Sequence, residues 1–524
     1  MSKTTGALKD RPAATKIARP QAPPRKTAAV RHTVLPFWTA PAAMLLVAVF
    51  FTLWGVAHVH GYTYPTHAQA SWMGPHQIPW SDYDEGVYMV SARLLNQGYA
   101  PFSAVFSSQP PLFLAGLALF LRVFHDAAGA GYLYSLVCGL LALAGVAWLC
   151  WETVGRWTAL LATITLALSP GFVIAAHAVE AEAPMMGFTS LSVAAAARYA
   201  RTRNRLWLTL ASLLLAAATL SKLLAVSAIG PLVVAIIFAV LAEKDKWRQR
   251  LLGDAVVALC CTGAPLLLAL LLFSPAQQWD QVIRFHLQTA KIPNLADSSM
   301  QTYLTFLSWD PGLLALAVTG LAAVAVLRRP LCLLQCSWLL CTYLPIARYY
   351  PLFIHHLTVL LPPLAAVAGG VAAVLDYPRA PRRRRLPAAL LLVVGLIAYV
   401  VWLPFTADHL ATMFARDTDP LKAARVGWLK AHSGPGDMVV TDDQVLAVAA
   451  DRLVPPALSD TSIVRWQAGY LPLSRLEQST ANSRVKAVLL MRQLMYIPPY
   501  VQWLKLHFHQ VQTPQLGGAL TFVR

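Results

Sequence analysis

The sequence predicts a polytopic α-helical membrane protein that ends in a small α/β domain. Composition makes the first case. Of 524 residues, 57% are hydrophobic and only 13% charged, where a soluble chain is about one quarter charged. The mean hydropathy is +0.54. The apolar residues also fall into runs near the ~20 residues a helix needs to cross a bilayer. Finally, the 7 cysteines all lie within or at the ends of those runs, and the region from Asp408 onward has none. An ordinary soluble enzyme, a disordered chain and a disulfide scaffold are therefore excluded. Cys332 and Cys336 are spaced i, i+4, but the fitting reading is small apolar residues in a membrane helix.

The net charge of +18 has two readings, a nucleic-acid partner or a cytoplasmic face. Its distribution selects the second. Residues 1–36 are rich in Pro, Ala and Thr, and set Lys3, Lys9, Arg11, Lys16, Arg19, Arg25, Lys26 and Arg31 against the single acid Asp10. This reads as a disordered basic cytoplasmic tail. Without interleaved aromatics it suits anionic inner-leaflet lipid and no nucleic acid. Residues 37–59 follow as an uncleaved anchor, too long for a signal-peptide core.

Further spans are read at residues 131–151, 158–176, 185–199, 206–221, 223–241, 255–273, 312–327, 331–347, 353–375 and 386–405, which makes eleven with the first. Residues 110–124 form one more apolar run, shorter than a crossing requires. If that run stays at the outer surface, the basic loops at 152–156, 198–205, 243–250, 328–329 and 379–385 all face the cytoplasm. If it crosses, every one of them flips outward against the positive-inside rule. The expected topology is therefore that of a multi-pass protein of the cytoplasmic membrane with its N-terminus in the cytoplasm. Outside lie a long first loop (60–130), a second loop (277–310) and the region 406–524. That last region alternates helical and strand patterns. Helices are expected at 421–432, 444–450 and 500–507, and strands at 437–441, 485–491 and 519–523. Together they make a small α/β domain.

The chemistry-bearing residues gather on this outer face. The first loop holds Trp80-Ser-Asp82-Tyr-Asp84-Glu85-Gly86-Val-Tyr88, three carboxylates within four residues of an acid-poor chain. One reading is a cap, with Asp82 or Asp84 opening a helix over 87–97. The other is a general base for an acceptor hydroxyl, its pKa raised by a neighbouring carboxylate and partial desolvation. A second acidic motif, His177-Ala-Val-Glu180-Ala-Glu182-Ala-Pro184, sits at the outer end of a span, where Glu182 is either a cap or a site residue. Outer cations are few: Lys222 in a tight turn, Arg284 and His286 in the second loop, and Arg348 at a span end. Singly each would snorkel; together they supply cations at the level of a lipid phosphate. His355 and His356 lie one turn inside the next span, where packing is the expected role. The chain shows no Walker loop, no Gly-x-Gly-x-x-Gly after a strand and no paired Cys-x-x-Cys.

The ordered series Asp84-Glu85-Gly86-x-Tyr88, Ala92-Arg-Leu-Leu-Asn-Gln-Gly98, Gln109-Pro-Pro-Leu-Phe113, residues 159–170 and Glu182-Ala-Pro184 resembles the membrane glycosyltransferases of the GT-C superfamily. The likeness is to bacterial relatives of protein O-mannosyltransferases and of the aminoarabinose transferases that modify lipid A, and it spans most of residues 37–375. The resemblance implies an inverting transfer of a sugar from a polyprenyl-phosphate carrier at the outer face of the membrane. It implies Asp84 as catalytic base with Glu85 in support. Glu182 stands where the family usually has Asp, and Lys222 would contact the carrier phosphate. Arg284 and His286 would lie in a substrate-gating loop, and Asp82, Tyr88, Gln109 and Arg348 would line the substrate site. The aminoarabinose enzymes carry Glu-Lys-Pro where this chain has Ser108-Gln109-Pro110, which argues against the same metal site and the same acceptor. A divalent metal stays open, as does the acceptor: a protein, a polysaccharide or a lipid. The competing readings are a flippase of lipid-linked sugar and a non-catalytic envelope scaffold. A flippase would place its charged or broken helices near the bilayer midplane; here the acids collect at the outer surface.

Overall fold

The computed structural model describes residues 68–69, 77–78, 83–124, 127–243, 245–293, 295–296, 298–413 and 420–524. The basic tail 1–36, the first expected span 37–59 and Asp82 lie outside them.

After a two-residue antiparallel strand pair, Ala68–Gln69 with Gln77–Ile78, comes α1 (Tyr83–Asn96), whose first turn holds Asp84 and Glu85, where a negative charge suits the helix dipole. The helix begins four residues before its expected start. Asp84 is therefore inside the first turn and is not the N-cap. Gly98, at φ +88°, takes the left-handed conformation that ends the helix without a Cβ penalty. α2 (Pro111–Phe124) and α3 (Ala127–Thr153) follow. The next expected span is two helices, α4 (Arg156–Leu168) and α5 (Pro170–His177), bent by 70°. Pro170 lacks the N–H that would continue the ladder and so starts a new helix. α6 (Glu182–Thr202) and α7 (Arg205–Ser221) complete the first half. A second bend, of 86°, separates Ser299–Trp309 from Pro311–Val326. There Asp310 accepts the Leu313 N–H at 3.0 Å and caps the second segment.

A helix stands at each of the ten spans expected beyond residue 83. Among the described residues, five helices are long and apolar enough to cross a membrane, or seven if each bent pair is one span. Burial sorts them. The most apolar stretch of Ile354–Asp376 is 94% buried, whereas those of Trp247–Leu272 and Arg382–Asp408 are only 6% and 17% buried. The first is the centre of the bundle. The other two turn leucines and valines outward, as lipid-facing helices do. α3 and α6 approach closely at Gly145, where a Cβ would fall 2.5 Å from Ser190 Cβ. Near the C-terminal end of α6, Glu152 accepts from Arg198 (3.1 Å) and Arg201 (2.7 Å). Buried Asp254 holds Arg205, Arg250 and the Tyr199 hydroxyl.

Residues 420–524 form the α/β portion. Its sheet runs Met438–Thr441, Val485–Leu490, Leu520–Val523, His509–Val511 in spatial order. The first pair is parallel and the other two are antiparallel. The strand His509–Val511 is absent from the sequence reading, because a three-residue edge with His509 and Gln510 exposed carries no apolar alternation. This sheet does not stand alone. Val87, Val90 and Leu94 of α1 share one buried apolar core with Trp428, Leu446, Val454 and Leu489, so the Asp84 helix packs onto the C-terminal portion.

Candidate active site

The site is built where α1, the turn between α5 and α6, the C-terminal end of α7 and three further segments meet. Glu85 is 1% exposed, and its carboxylate accepts the Val179 N–H at 3.0 Å. It therefore points away from solvent and ties α1 to the turn that carries Glu180 and Glu182. Asp84 is half-buried beside it. Tyr88, one turn along, is buried against Phe113, with ring centroids 4.8 Å apart. Burial first, then the charges of Asp84, Glu182 and Glu180, push its hydroxyl well above the usual tyrosine range.

Glu182 is not a cap: Ala181 occupies that position. Its carboxylate forms a buried ion pair with Lys222, the residue that directly follows α7. Glu182 and Lys222 are 1% and 5% exposed, and a charge so far from water needs its partner. His355 Nε2 lies 3.9 Å from the same carboxylate. His356 packs 4.3 Å from His355 and 4.8 Å from Tyr349, ring to ring, and its Nδ1 accepts the Phe353 N–H at 3.2 Å.

From Tyr349 the polar chain continues to His286. His286 Nε2 donates to the Ser108 carbonyl at 3.0 Å and Nδ1 faces the Tyr349 hydroxyl at 3.4 Å. Burial holds the His286 imidazole below its usual range, so the ring is neutral and its partners assign the tautomer. Gln109, next to Ser108, donates to the Tyr88 hydroxyl at 3.4 Å and closes the path back to α1.

The structure therefore gathers Glu85, Tyr88, Gln109, Glu182, Lys222 and His286 around one site, with Asp84 at its rim. Arg284 and Arg348 stand apart. Arg284 is exposed and pairs with Asp280 at 3.2 Å, and Arg348 is exposed at the end of Leu333–Ile346. The sequence reading missed Tyr349, His355 and His356 as members of the cluster. Two adjacent histidines at the head of an otherwise apolar run were the available signal.

One subset fits a metal. Ligand atoms of Glu182, His355 and His356 all lie within 4.8 Å of one another, and one carboxylate with two imidazoles is a zinc-type donor set. The Lys222 ammonium already sits on that carboxylate, however, and like charge opposes a second cation there.

A short helix bearing a carboxylate, packed near a buried ion pair at one end of a bent-helix bundle, belongs to a known architecture. The chain has the fold of the GT-C superfamily of membrane glycosyltransferases. Residues 108–279 match the family described as dolichyl-phosphate-mannose-protein mannosyltransferase. The structure is similar to that of ArnT from Cupriavidus metallidurans bound to undecaprenyl phosphate. The TM-score is 0.61 at 14% identity, covering 93% of this chain and 98% of that one. Apo ArnT from the same organism gives a TM-score of 0.60 at 14% identity, over 92% and 98% of the two chains. The apo Archaeoglobus fulgidus oligosaccharyltransferase gives 0.53 at 12% identity, over 86% and 69%. No curated protein matches the sequence. At these identities the likeness is one of fold.

Proposed function

We propose that the protein is an inverting glycosyltransferase that moves a sugar from a polyprenyl-phosphate carrier to an acceptor hydroxyl at the outer face of the cytoplasmic membrane. The observation that carries this reading is the buried Glu182–Lys222 pair, with its histidines, facing the Asp84 helix. An inverting transfer needs a base on one side of the anomeric carbon and a cation on the other. Asp84 takes the acceptor proton. Lys222 has three N–H donors; one is held by Glu182, which aims the rest at the leaving phosphate. The carrier departs as a charged lipid phosphate, so no nucleotide pocket is required. The fold's likeness to a structure holding undecaprenyl phosphate supports the same class of donor.

In this reading residues 37–405 are the transferase domain, with 60–130 carrying the catalytic loop and 277–310 the gating loop, and 406–524 lie outside the membrane. Single cysteines at Arg203 and Arg383 test the topology. Neither is expected to react with a membrane-impermeant maleimide until the membrane is opened, and labelling of either from outside sinks it. Mass spectrometry of envelope glycans and glycolipids from a deletion strain tests the activity, one sugar being expected to disappear. An unchanged profile would remove the reading.

A metal at Glu182, His355 and His356 would have to displace Lys222. Isothermal titration of the purified protein with Zn²⁺ is therefore expected to show weak binding, tightened at least about tenfold in Lys222→Met, where a buried like charge is gone. Equal affinity in the two proteins would mean that the lysine and the ion do not compete.

A further inference from the structure

One loop of the C-terminal portion touches both sides of the site. At its start, the Thr461 N–H donates to the Tyr83 hydroxyl at 2.8 Å, and Thr461 Oγ1 lies 2.9 Å from the same oxygen. Tyr83 is the residue before Asp84. The contact is reinforced at Gly86, where a Cβ would fall 2.3 Å from the Val445 nitrogen, so only glycine lets α1 lie this close. Midway, the Arg465 guanidinium lies 4.3 Å above the Phe106 ring, in the first outer loop. At its end, the Tyr470 hydroxyl donates to the Asp280 carbonyl at 3.1 Å and lies 3.2 Å from its carboxylate. Burial, with Asp280 beside it, pushes that hydroxyl up to about 12, so it remains a donor.

Asp280 belongs to a π-helical turn, Trp279–Arg284, a wide and poorly packed element that recurs at functional sites. That turn is pinned from below. Gln281 accepts the Ser107 N–H at 3.0 Å and donates to the Phe102 carbonyl, and His286 reaches Ser108. From above, Phe285 is stacked edge-on between Phe106 and Tyr470, with centroids 5.2 Å from each.

We propose that Tyr470 is a positioning residue: it latches the second outer loop closed over the site from the same C-terminal loop that fixes the Asp84 helix. Closure of the gating segment and placement of the base are thereby set by one body. The inference rests on the transferase reading for its catalytic meaning, but the latch itself is structural and is tested without catalysis.

The test compares wild type, Tyr470→Phe and Tyr496→Phe. The phenylalanine at 470 keeps the aromatic stack and removes only the donor, while Tyr496, 76% exposed, serves as the control. Limited trypsinolysis of the full-length protein in detergent is followed at Lys291, exposed just beyond the latched segment. Because losing the hydroxyl's hydrogen bond, shared between the Asp280 carbonyl and carboxylate, weakens local closure modestly, cleavage there is expected to rise about three- to tenfold in Tyr470→Phe and to stay unchanged in Tyr496→Phe. A rate within twofold of wild type, with unaltered thermal melting, overturns the latch. In a transfer assay with a lipid-linked sugar, the same variant is expected to raise KM for the donor while kcat holds. A fall in kcat alone overturns the positioning role. Absence of transfer by wild type would strike the proposed function and leave the proteolysis result to judge the latch.

Discussion

Asp84→Asn is expected to lower sugar transfer by about 10²- to 10⁴-fold, the range a general base contributes, while the protein melts normally and still binds its carrier. The expectation follows from what the two adjacent acids do. The Glu85 carboxylate accepts the Val179 N–H in the interior, so it serves the architecture of the site. Glu85→Gln is accordingly expected to cost stability, because a buried charged acceptor is exchanged for a neutral amide. Asp84 is half-buried at the head of α1, where a first-turn carboxylate gains at most about 1 kcal/mol from the helix dipole. Asparagine keeps its shape and its fit to the turn. A proton acceptor is what the exchange removes. The measurement is single-turnover transfer to the acceptor, with carrier binding read separately. Normal turnover by Asp84→Asn would reject the base assignment, and loss of turnover in Asp82→Asn instead would move it two residues toward the N-terminus. A flippase or a scaffold would show neither dependence.

The helices were legible because a bilayer leaves its mark on composition: long apolar runs, and basic loops that alternate in position. The C-terminal elements were legible for a related reason. Residues 485–491 read as a buried strand between polar turns, and the chain forms one at Val485–Leu490. The two helix breaks were present but unread. Ser169-Pro170 and Asp310-Pro311 each pair a polar residue with proline, and each marks a bend. The assembly of the site was not legible at all. Glu182 and Lys222 are 40 residues apart, Ser108 and His286 178 apart, and Tyr83 and Thr461 378 apart. No local periodicity encodes such contacts. The same distance explains His355 and His356, whose packing role on an apolar helix turns into a polar one only once Glu182 is folded against them.

The second large effect is expected at Lys222, and it separates structure from chemistry. Lys222→Met leaves Glu182 as an unpaired buried carboxylate, a loss of about 3–5 kcal/mol of stability. That destabilisation alone lowers transfer, by reducing the folded fraction, without implicating the lysine in catalysis. The double variant Lys222→Met/Glu182→Gln removes both charges together. Replacing a buried ion pair by neutral groups of similar volume is often close to neutral in stability, so its melting temperature is expected to return near that of wild type. If the pair exists only to hold α6 and the end of α7 together, transfer returns with it. If Lys222 neutralises the leaving phosphate, the refolded double variant stays inactive and has lost its affinity for polyprenyl phosphate, since Lys222 is the one buried lysine among the described residues. Lys222→Arg sharpens the distinction, because it restores the charge while spreading it over a planar fork. Stability is then expected to recover more fully than turnover. Recovery of both in the double variant would reduce the buried pair to architecture and move the search for the phosphate ligand outward, to Arg284 and Arg348.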